Sequence, residues 1–383
     1  MRKHFKKEGN RMKKDFEPLF EPFTFPGGAS INGRLVVAPM THFGSHEDGT
    51  ISKEEIDFIT ARSSDMGMVI TACANVTPDG KAFEGQPSIA RDEDIPGLKK
   101  LASAIQAKGT KAIIQIHHGG SQALPHLVPN GDVVAPSDVF KDGKQIARAL
   151  KEEEIVHIID SFKEAARRAV EAGFDGVEIH GANGYLLQQF YSPHSNQRTD
   201  QWGGNEEKRL AFPIAVVDAV KEAIEKHATK PFIFGYRLSP EEPEMPGLTM
   251  TETFTLVDVL KTKNLDYLHI SLMEIDSKAR RGADTDKTRM ELLKDRCGDT
   301  LPLIGVGSVI TAEDALSAYN QGIPLIAIAR ELIVDPDWAK KIKEGRESEI
   351  ETVIKRSQKD QYLIPEGLWS VMEASQGWVP MED

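Results

Sequence analysis

The sequence predicts an α/β fold, a (β/α)8 barrel of the TIM type, and three observations carry that expectation. Short runs rich in Val and Ile alternate with longer amphipathic stretches through most of the chain, giving eight β-then-α units. The runs are brief and nearly all apolar, as strands buried on both faces must be. A chain of 383 residues is long enough to close all eight units into one barrel. A doubly wound open sheet is the second architecture compatible with the alternation.

The strand runs lie at 34–40, 68–74, 111–117, 176–180, 231–238, 267–271, 301–306 and 325–329. Helix boundaries are marked between them. Ser52 with Glu55, and Thr311 with Asp314, have capping-box spacing, while Gly109, Gly173 and Gly322 stand where helices stop before strands. Residues 151–172 read as one long helix, because Ile155, Ile158, Ile159, Phe162, Ala166 and Ala169 recur at a helical period. Two longer connections break the rhythm. Residues 119–151, rich in Pro, Gly and Asp, are expected to fold over the barrel mouth as a lid or hairpin, and residues 190–204 form the second excursion. The expected organisation is a basic disordered tail at 1–14, the barrel at 15–344, and a C-terminal appendage at 345–383 that carries Trp369 and Trp378 and packs on the barrel or on a partner subunit.

Composition narrows the function classes. Apolar residues make up 40% of the chain, but no uninterrupted run is long enough to span a membrane. The net charge of −12 argues against a broad phosphate-backbone-binding surface, so nucleic acid is not an expected partner. Cys73 and Cys297 form no metal-ligand pattern, which excludes a four-cysteine iron–sulfur centre and suits a reducing compartment. The basic first fourteen residues lack the apolar core of a secretory signal. A cytoplasmic protein is expected.

In a barrel, chemistry sits where strands end. The fourth strand runs into His180-Gly181-Ala182-Asn183-Gly184-Tyr185. A single His or Asn at a strand end is more often a satisfied structural residue or a helix cap. If the chain turned helically after His180, however, His180 and Asn183 would share one face and could aim donors at a single oxygen, with the Tyr185 phenol close behind. At the seventh and eighth strands, Gly305-Val306-Gly307-Ser308 and Ala329-Arg330 offer backbone N–H groups and a cation where barrels commonly hold a phosphate. A cofactor anchored there would reach across the mouth towards Gln115, suited to an amide-like ring edge, and Arg237, suited to negative charge developing on a flavin. Position alone equally allows Arg237 a buried ion pair with a carboxylate such as Glu178.

At these residues the chain resembles the Old Yellow Enzyme family of FMN-dependent oxidoreductases, from about Phe16 to about Lys340. The matching segments are Pro-Leu-Phe-Glu-Pro at 18–22, Val-Ala-Pro-Met-Thr at 37–41, Ile-Gln-Ile-His-His-Gly-Gly at 114–120, and the run at 177–187. Phe190-Tyr191-Ser192-Pro193 with Asn196, Arg198, Thr199, Asp200, Gly203 and Gly204 looks like the family's loop signature, with Trp202 where many members have Tyr. The resemblance implies that Pro39, Met40, Thr41, Cys73, Gln115, Arg237, Gly307, Ser308, Ala329 and Arg330 bind FMN tightly and without a covalent bond. It further implies that His180 and Asn183 hold a substrate oxygen, that Tyr185 supplies a proton, and that NADH or NADPH is the co-substrate. The implied activity is reduction of the activated C=C bond of an unsaturated carbonyl or nitro compound by a ping-pong sequence. A reductase of quinones or other acceptors, and a non-catalytic FMN-binding protein, are the alternatives. Two departures bear on substrate choice: Ser121 stands where many bacterial relatives have Arg, and Phe43 replaces a Tyr found in some of their active sites. The tail has no match to the arginine that some members lend to a neighbour, and the sequence leaves oligomeric state open.

Overall fold

The computed structural model describes residues 11–375 and 377–383, so most of the expected basic tail lies outside the described residues. Eight parallel strands close into a barrel: β1 (Leu35–Val37), β2 (Met68–Ile70), β3 (Lys111–His117), β4 (Gly176–Gly181), β5 (Ile233–Leu238), β6 (Tyr267–Ile270), β7 (Leu303–Val306) and β8 (Leu325–Ile328). Hydrogen bonding runs in sequence from β1 to β8, and the β8–β1 pairing of Ile326 with Leu35 completes the ring. The fold is the expected (β/α)8 barrel; seven of the sequence runs contain their strand, and the fourth falls one residue short of it. β1 stops pairing earlier than its apolar run, because Pro39 has no N–H to donate and the chain there swings out to form the mouth.

Helices follow the strands as α1 (Lys53–Ala61), α2 (Ile95–Gln106), α3 (Glu152–Glu171), α4 (Glu206–His227), α5 (Met250–Leu260), α6 (Arg289–Cys297), α7 (Ala312–Asn320) and α8 (Trp338–Lys343). The marked boundaries hold. Ser52 Oγ accepts the Glu55 N–H, and Thr311 and Asp314 cap α7 reciprocally. On α3 the buried face is Ile155, Ile158, Phe162, Ala165, Ala166 and Ala169, which packs inward while three glutamates stand in the first turn.

A short antiparallel pair, Phe23–Thr24 with Ser30–Ile31, closes the N-terminal end of the barrel. Its following residue Phe25 inserts beneath Tyr267, with ring centroids 6.0 Å apart, and the Gly27 N–H donates to Asp266 at 2.7 Å. Inside the barrel above this plug come apolar residues: Val36, Met68, Ile70, Ile113, Ile233, Ile304 and Leu325 are all buried in one cluster. Polar chemistry is thereby confined to the upper half.

The excursion after β3 contains a small sheet, Val134–Ala135, Val139–Lys141 and Lys144–Ala149, over its own apolar cluster. The loop after β4 is fastened to it. Arg198 donates to the Pro136 and Leu150 carbonyls at 2.8 and 2.7 Å, and Asn196 Nδ2 ties Phe190 to Trp202 by donating to both carbonyls. The C-terminal segment returns to the barrel as a helix, Glu366–Ala374, with Leu368 and Trp369 buried, and ends in a two-residue pairing of Met381–Glu382 with Ile354–Lys355. Arg62, from the end of α1, joins this segment to the barrel. Its buried guanidinium donates to the carbonyls of Phe58, Ile333 and Tyr362. Among the described residues no helix is long and apolar enough to cross a membrane.

Close approach of strand and side chain is tightest at Gly235 on β5, where a Cβ would lie 2.1 Å from the Tyr267 ring. Gly235→Ala is expected to destabilise the barrel by about 1–3 kcal/mol through overpacking; a lowered thermal midpoint checks this, and an unchanged one refutes it.

Candidate active site

The upper barrel interior is polar on one half of its circumference. Strand register sets Gln115 beside Glu178 and Glu178 beside Gly235, and one layer higher sets His180 beside Arg237 and Arg237 beside His269. Because alternate residues of a strand share a face, Gln115 and His117, Glu178 and His180, and Tyr267 and His269 all point into the barrel. Glu178 is completely buried. Its two oxygens accept from Gln115 Nε2 at 2.6 Å and from His269 Nδ1 at 3.0 Å. Burial pushes this carboxyl upward, but its bond from His269, the nearby Arg237 charge and the Gln115 amide outweigh burial and hold it below the usual range. The carboxylate stays ionised.

Arg237 makes no ion pair among the described residues, and its buried Nε has no hydrogen-bond partner there. Glu178 therefore acts on it as a nearby charge rather than as a salt-bridge partner. That leaves a buried guanidinium whose Nε has no hydrogen-bond partner among the described residues.

His180 is buried, and its Nδ1 accepts the Ala182 N–H at 3.3 Å. This assigns the proton to Nε2, so the ring presents a donor. Burial first, then the neighbouring His117, Arg237 and His269, pushes His180 well below its ordinary value, and the donor is a neutral imidazole. His117 is treated alike: Gln86 Nε2 lies 2.9 Å from its Nδ1, and burial lowers it to about 3. Both rings meet Tyr185 edge to face, with centroids 4.3 Å from His117 and 5.0 Å from His180. Burial, and to a smaller degree Cys73, raises the Tyr185 phenol above its ordinary value; like any phenol it carries its proton at neutral pH. Cys73 is itself pushed up to about 12 by burial, and packs with Ala82 and Phe83 against Phe43 and Tyr185 as an unreactive thiol.

The segment between His180 and Tyr185 is a tight turn, not the start of a helix. Asn183 sits at φ 57° and Gly184 at φ 71°, and the helix Leu186–Tyr191 begins only afterwards. Side chains from four directions fix this turn. Ser239 Oγ accepts the Asn183 N–H at 2.9 Å, Gln188 Oε1 accepts the Gly184 N–H at 2.9 Å, and Gln122 Nε2 donates to the carbonyls of Asn183 and Gly184 at 2.9 and 2.7 Å. Gln189 Nε2 adds a second bond to the Gly184 carbonyl at 2.7 Å. The Asn183 amide turns towards the ends of β5 and β6, where its Oδ1 accepts from Ser271 Oγ at 2.8 Å.

The structure thus brings His180, Tyr185 and His117 into one cluster and carries Asn183 to its flank. Tyr185 opens on a cavity of about 540 Å³ lined by Pro39, Met40, Thr41, Phe43, Phe83, Ala329, Arg330 and Trp378. Asn183, with Ser239 and Ser271, lines a neighbouring hollow of about 430 Å³. Phe43 is held at φ 53°, a costly conformation for a bulky residue, between the backbones of Gly85 and Gly367, either of which would clash with it if given a Cβ.

Across the mouth, Gly307 (φ 135°) and Ser308 (φ 51°) follow β7 in positive-φ conformations, and a Cβ on Gly307 would lie 2.8–2.9 Å from the backbone of residues 274–275. Ala329 caps the helix Arg330–Val334, and the buried Arg330 Nε lacks a hydrogen-bond partner among the described residues. Buried donors without partners at Arg237, Arg330 and His117 make a surface rich in donors. Such a surface fits a ligand rich in acceptors, and FMN supplies them as a phosphate and a dioxopyrimidine ring.

A barrel with a positive-φ turn after β7, an arginine with an unpartnered Nε after β8, a buried arginine in its interior and a neutral histidine beside a tyrosine has the frame of a flavin-binding oxidoreductase. Comparison with known proteins makes that class specific. Residues 18–349 match the NADH:flavin oxidoreductase / NADH oxidase family, and the chain belongs to it. Over 372 residues it is 65% identical to the probable NADH-dependent flavin oxidoreductase YqiG of Bacillus subtilis (strain 168), covering 97% of this chain and 100% of that one. It is 42% identical to the NADH:fumarate oxidoreductase of Klebsiella pneumoniae (strain 342), covering 94% of this chain but 39% of that longer protein. Among solved structures, morphinone reductase in complex with tetrahydroNAD superposes with a TM-score of 0.73 at 28% identity, over 86% of this chain and 91% of that one. The protein is an FMN-dependent enzyme of the Old Yellow Enzyme group that uses a reduced nicotinamide.

Gln122 and Ser239 drew no attention in the sequence, and Ser271 was visible only as a polar residue at the end of the sixth strand; the folded turn shows what each of them holds. His117 was visible as a strand-end histidine beside His118.

The depressed His117 value has a consequence for stability. Between pH 6.5 and about 3 the unfolded chain takes up a proton that the folded protein refuses, so stability is full above pH 6.5 and falls as pH drops through this interval. Unfolding measured against pH should show that loss, and His117→Phe should reduce the slope by about one proton.

Proposed function

We propose that this enzyme reduces the activated C=C bond of an unsaturated carbonyl or nitro compound, with NADH or NADPH as the electron source, the two substrates using the same site in turn. The observation that carries the reading is the neutral His180, whose Nδ1 is occupied by the Ala182 N–H, beside a Tyr185 that remains protonated. A site built this way can polarise an oxygen and then deliver a proton.

The cofactor would be held by Pro39, Met40, Thr41 and Cys73 along one edge, Gln115 and Arg237 at the ring, and Gly307, Ser308, Ala329 and Arg330 at the phosphate. FMN bound there supplies a carrier that accepts a hydride equivalent from the nicotinamide and returns it to the acceptor. The residues of the chain do the remainder. Nε2 of His180 and Nδ2 of Asn183 would donate to the acceptor's oxygen, drawing electron density from the double bond so that its β-carbon accepts hydride. Tyr185 would give its phenolic proton to the α-carbon and recover one from solvent, which completes addition of two hydrogens across the bond. Apolar walls at Phe43, Phe83 and Trp378 favour a flat, uncharged substrate, and they line the same cavity as Tyr185. Belonging to a family of oxidoreductases argues against a non-catalytic flavin holder.

Two variants test the reading. His180→Ala should keep FMN and lower alkene turnover by about 10²–10³-fold, the usual cost of one positioned donor; steady-state rates on an enone decide, and unchanged turnover would remove His180 from the mechanism. Tyr185→Phe should slow the oxidative half-reaction with an alkene while leaving reduction by the nicotinamide near its normal rate. Equal losses in both half-reactions, followed by stopped-flow absorbance, would mean that Tyr185 shapes the pocket instead of giving the proton.

A further inference from the structure

We infer that Ser271, assisted by Ser239, is a positioning residue that sets which end of the Asn183 amide meets the substrate; the inference rests on the reading of Asn183 as a donor to the substrate oxygen. A primary amide carries an acceptor and two donors, and rotation about its last torsion exchanges them. Asn183 is exposed and sits in a left-handed turn, so packing does not fix that rotation.

Two hydroxyls do. Ser271 Oγ donates to Asn183 Oδ1 at 2.8 Å, and Ser239 Oγ approaches the same oxygen at 3.4 Å. Ser239 Oγ already accepts the Asn183 backbone N–H at 2.9 Å, which leaves its own proton to give. With Oδ1 taken by donors, Nδ2 is the end presented to a ligand. The serines are well placed for this because each is the first residue past a barrel strand, Ser239 after β5 and Ser271 after β6. The Ser271 N–H donates to the Leu238 carbonyl at 2.8 Å, so the two strand ends are joined and the hydroxyls keep a fixed separation. The donor turn of β4 is therefore referenced to two neighbouring strands of the barrel.

The test uses the FMN-loaded enzyme and cyclohexanone, a carbonyl ligand with no C=C bond to reduce, whose binding is followed through the flavin absorbance. Ser271→Ala should weaken cyclohexanone binding about fivefold and raise KM for an enone more than it lowers kcat, with the thermal midpoint near that of the parent. Ser271→Thr, which keeps the hydroxyl, should recover most of the affinity. In an Asn183→Ala background, Ser271→Ala should add nothing further. Ser239→Ala repeats the measurement from β5 and should give a smaller loss. If Asn183→Ala weakens binding but Ser271→Ala does not, or if Ser271→Ala costs as much with Asn183 absent, the positioning role is overturned. If Asn183→Ala itself leaves cyclohexanone binding and enone turnover unchanged, the donor reading of Asn183 fails instead.

Discussion

A single ionised carboxylate, Glu178, is enclosed in the barrel with no access to water, and the upper half of the interior is arranged around it. An unpaired buried charge would cost several kcal/mol. Here the cost is offset from three other strands of the barrel: Gln115 on β3 and His269 on β6 donate to its two oxygens, and Arg237 on β5 brings the compensating charge from the layer above. Because Arg237 does not close on Glu178 as a salt bridge, its positive charge is balanced without its donors being consumed. A charge held in that way is available to a cofactor.

The same economy governs the turn that follows β4. Both His180 and Asn183 have their acceptor atoms occupied by donors of the chain, which leaves donors facing outward. Preorganised donors of this kind stabilise developing negative charge without having to reorient as it forms. Burial keeps His180 neutral, and beside it Tyr185, whose phenol burial raises further, carries its proton, so an oxygen-binding and a proton-giving group stand together. Phe43 completes the enclosure in a backbone conformation that Gly85 and Gly367 hold from either side.

The barrel was legible because it is written in local signals: eight apolar runs, capping residues, and glycines at helix ends each act over a few residues. The turn after β7 was legible for the same reason, since Gly307 lies directly after its strand and Arg330 two residues after β8. What could not be read was how the chain passes from His180 to Asn183. Helical spacing suggested one face, whereas Gly184 and the αL-tolerant Asn183 make a turn whose shape is fixed by Ser239, Gln122 and Gln188, residues that become neighbours only in three dimensions. Arg237 was equally undecidable from position, because an ion pair and a free guanidinium differ by a few ångströms that no local pattern encodes. The loop motif at 190–204, specific enough to suggest a family, turned out to fasten that loop to the excursion after β3.

Arg62 gives the C-terminal segment a meaning in time as well as in space. Its guanidinium is buried against carbonyls drawn from positions 58, 333 and 362, and it has no carboxylate among them. During synthesis this arginine emerges with α1 long before its last two partners exist, and an isolated charge cannot be withdrawn from water until they do. The guanidinium at the end of the first helix therefore keeps its water until residues some three hundred positions later are made, so the last contacts of the first unit form only with the last segment of the chain.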